Sequence, residues 1–188
     1  MPDYECAHAE SAGEFAGVAD GLERLWTPHR MVYLGGQDKP TGPGAADCPF
    51  CRAQGRTDEE ALVVARGELV FALLNLYPYN SGHLMVLPYR HVADYTDLSV
   101  AEAAELSACT RTAIEVLRVV MQPQGFNLGI TQGEVAGAGI AAHLHQHVVP
   151  RWSGDANFLP VVGRTKAIPE LLADTRARLA SAWPGTRG

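Results

Sequence analysis

With 188 residues, 47% of them hydrophobic and 19% charged, the chain has enough material for one globular domain with a sizeable core. Its net charge of −6 argues against a general nucleic-acid surface, so an anionic ligand would need a local electropositive pocket. No run of roughly 18 apolar residues occurs, so no membrane-spanning helix and no membrane partner are expected.

Residues 1–21 are rich in Ala, Gly and Glu and have neither a basic start nor an apolar stretch. They read as a mobile tail rather than a signal peptide, ahead of a single domain expected over residues 22–188. The four cysteines are Cys6, Cys48, Cys51 and Cys109. Nothing suggests secretion, so a cytoplasmic protein with metal-bound or free thiols is expected, not a disulfide framework. Residues 22–34 mix aromatic and aliphatic side chains around Pro28 and read as an ordered arm. A Gly- and Pro-rich loop over residues 35–47 follows.

Cys48-Pro49-Phe50-Cys51 comes next. Two cysteines at this spacing can hold one tetrahedral zinc ion. A redox pair would want a thioredoxin-like βαβ context, and none follows. His91 and His143 are candidates to complete a four-ligand set. Such a site would be structural, because four protein ligands leave no open position.

Residues 59–67 and 68–76 read as a hairpin turning near Arg66-Gly67. A turn-rich loop (Tyr77-Pro78-Tyr79-Asn80-Ser81-Gly82) leads to a third strand over residues 83–87, where His83 reads as a structural histidine. A helix is expected from Thr96-Asp97-Leu98-Ser99 to Met121, with an acidic or hydroxyl cap and apolar positions at helical spacing. Cys109 falls on its core side. Gln122-Pro123-Gln124-Gly125 stops it, residues 126–131 form a strand, and residues 132–142 form a Gly/Ala loop. Small residues there let backbone N–H groups approach phosphate oxygens. Residues 169–183 read as an amphipathic terminal helix with Leu171, Leu172, Thr175, Leu179 and Ala182 on its apolar face.

The most informative stretch is His143-Leu144-His145-Gln146-His147-Val148-Val149-Pro150-Arg151-Trp152. A helix, turning about 100° per residue, would scatter the three histidines, whereas a strand aligns them on one face. Val148-Val149 favour strand, and Pro150 is expected to close it. Neutral imidazole is a good nucleophile near neutral pH, and flanking histidines can orient a central one.

This run resembles the histidine-triad (HIT) family pattern, His-φ-His-φ-His-φ-φ with φ apolar, with Gln146 at a φ position. The CPFC block, Asn75-x-x-Pro78, Gly82-His83 and Pro88 to His91 match in order. The PRW-GDANF stretch and terminal helix are similar to its actinobacterial diadenosine tetraphosphate phosphorylase group. The resemblance implies an α+β, HIT-like fold: an antiparallel sheet, a long central helix, a C-terminal helix and a homodimer. It implies that His145 attacks the α-phosphorus of a nucleotide, with His143 and His147 beside it, and that Cys48, Cys51, His91 and His143 hold zinc. Asn75 would bind ribose hydroxyls. Thr131, Gln132, Gly137, Ala138 and Gly139 would contact phosphates, the Ala-Gly pair through backbone amides. Gln146, Arg151 and Trp152 complete the expected substrate contacts, Arg151 offsetting phosphate charge and Trp152 covering the site. Water as acceptor would release a nucleoside monophosphate, and inorganic phosphate a nucleoside diphosphate. No organic cofactor is implied, and the alternatives are a hydrolase of nucleoside phosphoramidates or adenylates that releases AMP, or a nucleotide-binding protein with little turnover.

Overall fold

The computed structural model describes residues 44–155 and 170–185. The expected tail, the arm and residues 156–158 of the GDANF stretch lie outside them. Five strands form one antiparallel sheet in the order β1-β2-β3-β5-β4. They are β1 (Val63–Arg66), β2 (Val70–Leu74), β3 (Leu84–Pro88), β4 (Gly125–Ile130) and β5 (Gln146–Arg151). Three helices accompany them: α1 (Pro49–Gln54), α2 (Val100–Met121) and α3 (Leu172–Ser181). This is the α+β architecture expected.

β2 and β3 are buried at every position because both faces of the sheet are covered there. On one face Val70, Ala72, Leu84, Val86 and Val148 meet Leu106, Ala113 and Leu117 of α2 and Leu179 of α3. On the other, Val63, Phe71, Leu73, Met85 and Leu87 meet Cys48, Phe50 and Ala53. The second face carries His147 of β5, which lies opposite Met85.

Helix α2 starts later than the expected Thr96. Tyr95–Asp97 form a separate 3-10 turn, and Ser99 caps α2 in a capping box with Glu102. Glu102 also accepts from Arg90 Nε at 3.0 Å and Nη2 at 2.7 Å, which ties the end of β3 to the start of the helix. Gln122 ends α2 in the left-handed conformation at φ 51°. Gly82 is required at φ 72°, since a Cβ there would meet Met121 Sδ at 2.5 Å.

Three expectations shift. The extended triad segment is strand only from Gln146, so His143 and His145 precede β5. Pro150 lies inside β5, opposite Phe126, instead of closing it. β3 pairs only as far as Val148, so the missing N–H of Pro150 breaks no ladder bond. On α3, Thr175 and Leu179 are buried, but Leu171 is the uncapped N-cap residue and is 73% exposed. Among the described residues no helix is long and apolar enough to cross a membrane.

Candidate active site and metal cluster

The CPFC block begins α1. Cys48 is the N-cap in extended conformation and Pro49 opens the helix, where its missing N–H costs nothing. The first turn then directs both sulfurs to one side. His143 Nδ1 lies 3.4 Å from Cys48 Sγ and 3.5 Å from Cys51 Sγ, and His91 Nδ1 lies 3.3 Å from Cys51 Sγ. All four donor atoms fall within 4.8 Å of one another. Tetrahedral bonds of ordinary zinc–sulfur and zinc–nitrogen length require sulfur-to-nitrogen separations of about 3.5 Å, so the donors are already spaced for such an ion.

The outer shell fits as well. His143 Nε2–H donates to the Pro88 carbonyl at 2.9 Å, which leaves the Nδ1 lone pair facing the sulfurs. Burial, then the neighbouring Cys48, pushes the Cys51 thiol up to about 11. Burial, then the nearby His91 and His145 imidazoles, brings His143 down to about 4. These donors are neutral without a cation, and a cation would favour the thiolates.

The three triad rings share a face, as expected. Leu144 is buried, and Val148 belongs to the core on the opposite face. His145 is only 5% exposed, with its ring 5.1 Å from that of Phe50 and 5.0 Å from that of His147. The hydrogen bonds decide which ring nitrogens carry protons. The His143 carbonyl can only accept, so His145 Nδ1, 2.8 Å away, is the protonated nitrogen and its Nε2 keeps a lone pair. Burial lowers the His145 pKa and so favours this neutral form.

His147 is set the opposite way. The Tyr79 N–H donates to His83 Nδ1 at 3.0 Å, so the neutral His83 ring carries its proton on Nε2. That nitrogen lies 2.9 Å from His147 Nδ1, which must accept, leaving His147 Nε2–H as a donor. A lone pair and a donor thus stand side by side, which suits attack on an electrophile and stabilisation of the anionic oxygen that results.

The other expected contacts divide. Asn75 directly follows β2, with Oδ1 accepting from the Tyr77 N–H at 2.9 Å and Nδ2 3.4 Å from His83 Nδ1. Gln132 is engaged at both ends of its amide, accepting from the Tyr95 N–H at 2.9 Å and donating to Asp94 at 2.8 Å. The Gly137 and Ala138 amides close their own turn on the Glu134 and Gly133 carbonyls. These three thus hold the loop together. Thr131 directly follows β4, and Gly139 lies in the loop between β4 and β5. Gln146 alternates with His147 and faces the other side of the sheet from the histidines. Arg151 is held by Asp155 at 2.6 and 3.0 Å and by Asn127 at 2.8 Å, so its charge is already offset. The Trp152 N–H donates to Asp155 at 3.2 Å.

Sequence reasoning missed His83 as a partner of His147. It also missed Phe50 between His143 and His145. Tyr79, tilted against His83 at 4.7 Å and stacked on His147 at 5.7 Å, is a third. The signal for His83 was its position one residue ahead of a strand that pairs with the triad strand.

Residues 56–154 match the HIT domain family model. The AP-4-A phosphorylase of Mycobacterium tuberculosis is 53% identical over 170 residues, covering 89% of this chain and 87% of that protein. The asymmetrical bis(5'-nucleosyl)-tetraphosphatase of Schizosaccharomyces pombe is 34% identical over 93 residues, half of each chain. The crystal structure of a Zn-bound histidine triad family protein from Mycobacterium smegmatis superimposes with a TM-score of 0.60 at 25% identity, over 74% of this chain and 94% of that one. The geometry of the site and these likenesses agree: the chain belongs to the HIT domain family.

Proposed function

We propose that this chain is a dinucleoside polyphosphate phosphorylase that converts diadenosine tetraphosphate and inorganic phosphate to ATP and ADP. The pair of fixed ring nitrogens, a lone pair on His145 Nε2 and a donor on His147 Nε2, supports nucleotidyl transfer, and the 53% identical AP-4-A phosphorylase supports phosphate as the acceptor. His145 Nε2 attacks the α-phosphorus in line, forming an N–P bond as the P–O bond to the remaining phosphates breaks. ATP leaves with that electron pair. His147 stabilises charge on the phosphoryl oxygens. An oxygen of inorganic phosphate then attacks the same phosphorus, the P–N bond breaks, and ADP departs.

Asn75 at the ribose, Thr131 and Gly139 at phosphate oxygens, Arg151 as an oriented donor and Trp152 as a cover are the substrate contacts in this reading. Zinc on Cys48, Cys51, His91 and His143 is proposed as a structural ion; when bound it would fix α1 against the triad segment. Thiolate ligands suit a reducing, cytoplasmic compartment. A single catalytic domain over residues 22–188 and a homodimer are part of the proposal. β4 is an edge strand with Leu128 half-exposed, a surface that two-fold pairing would cover.

Incubation with diadenosine tetraphosphate, with and without phosphate, tests the acceptor. ADP and ATP formed only with phosphate is the expected result. AMP and ATP formed without it would make the chain a hydrolase, the reading that the tetraphosphatase relative favours. A covalent nucleotidyl adduct on His145 separates both from a protein that only binds nucleotide.

A further inference from the structure

The donor on His147 depends on a loop outside the triad segment. Residues 75–83 connect β2 to β3, and the Tyr79 N–H in this loop fixes the tautomer of His83 and thereby of His147. Asn80, the next residue, is 6% exposed. Its Nδ2 donates to the Pro150 carbonyl at 3.0 Å and to Asp155 Oδ2 at 2.8 Å. Its own carbonyl accepts from the His83 N–H at 3.1 Å. Asn80 is therefore bonded both to the far end of the triad strand and to the backbone of His83. It uses the one face of Pro150 that β3 has left unpaired.

Resting on the function proposed above, we propose that Asn80 is a positioning residue for the transfer. By tying this loop to β5 and Asp155, it keeps the Tyr79 amide on His83 Nδ1 and so keeps His147 Nε2 a donor. Asp155 is the other half of the tie. Its carboxylate also binds Arg151 and the Trp152 amide, so the segment after β5 and the loop before β3 are locked together. A simple packing role for Asn80 would predict lost stability alone. The positioning role predicts that the wrong His147 tautomer becomes populated, with its lone pair turned toward substrate oxygens where a donor is needed.

The test is the Asn80→Ala variant, read by imidazole nitrogen NMR and by steady-state kinetics. In the unaltered protein, the spectrum should show His147 protonated on Nε2 and accepting on Nδ1. A proton on Nδ1 there overturns the proposal at once. In the variant, the His147 pattern should become mixed. By the scale of losing part of an oxyanion donor, kcat should fall roughly tenfold or more while KM stays within about twofold. Lower thermal stability with an unchanged tautomer and unchanged kcat would overturn the proposal. If Asn80→Ala does not fold, Asn80→Ser keeps one donor and should show the same changes in smaller degree. The NMR readout needs no turnover, so a chain that binds nucleotide without reacting would refute the proposed function and still leave the role of Asn80 decided.

Discussion

The two ends of the triad are held by different chemistry. At one end His143 sits in a buried cluster of thiols and imidazoles, with its second nitrogen on the Pro88 carbonyl and the ring of Phe50 against its edge at 5.5 Å. At the other end His147 is held by a chain of hydrogen bonds through His83 to a loop amide. The histidine between them borrows one constraint from each side, a carbonyl from His143 and a ring contact with His147. Equal spacing in sequence thus gives equal faces but unequal roles. The roles come from what the remaining nitrogen of each ring touches.

The largest effect should come from the middle of the row. His145→Asn keeps a side-chain N–H able to reach the His143 carbonyl but has no attacking nitrogen. Turnover of diadenosine tetraphosphate should fall by more than about 1000-fold, the scale seen when a nucleophile is removed, with little change in melting temperature. Ordinary turnover in this variant would end the nucleophile assignment. The same ring sets the acid limb of the unaltered enzyme. Burial holds its pKa below the ordinary 6.5, so the attacking lone pair persists as the pH falls past that value. The fall in kcat/KM should therefore lie below pH 6.5, and a fall centred above it would contradict the buried geometry.

The metal end should break differently. Cys48→Ala removes one of four donors and should abolish stoichiometric zinc and lower the melting temperature by several degrees. Zinc content equal to that of the unaltered protein would show that the ion, if bound, lies elsewhere. Sign and direction follow from the thiols. Cys51 titrates at about 11 without a cation, so binding releases protons and acid should drive the metal off. The tautomer of His147, whose hydrogen-bond relay runs through His83 and not through the cluster, should survive this loss in NMR spectra of the chelated protein.

Much of this contrast was legible in the sequence, and the exceptions share a cause. The alternation of His143, His145 and His147 needs only the two-residue strand period, and Ser99 with Glu102 is a local capping signature. In the cluster of Cys48, Cys51, His91 and His143 only the spacing of the two cysteines is a local signal, and the two histidines were implied by the family resemblance, since they lie far from the cysteines in the chain. By contrast, nothing local indicates that Gln132 is spent on Asp94 and Tyr95, or that the Gly137 and Ala138 amides close a turn. Those outcomes depend on which polar groups folding brings together. Pro150 was misread because the rule against proline in strands concerns a missing ladder bond. Whether β3 reaches that far is a property of the sheet, not of the residue.

A core substitution separates the shared scaffold from both ends. Leu117 of α2 is fully buried against the sheet face opposite the histidines. Leu117→Ala should cost about 2–5 kcal/mol in denaturant unfolding, yet leave zinc stoichiometry and the His147 tautomer unchanged. A loss of either would mean that the two faces of the sheet are coupled through α2.

The smallest expected effect is a pH dependence at the metal end. Arg90 precedes His91, and its guanidinium holds Glu102 well below the usual carboxylate range, at about 2, with the Ser99 N–H as the next contributor. The folded-state value is depressed from 4.5, so the stability this carboxylate contributes is fully present above pH 4.5 and is lost as the pH falls toward about 2. Glu102→Gln keeps an acceptor for the cap but removes the charge. Its stability deficit against the unaltered protein should be largest near neutral pH and shrink across that acid window. A deficit that stays constant from neutral pH down to about 2 would show that the ion pair with Arg90 contributes nothing to the anchoring of His91.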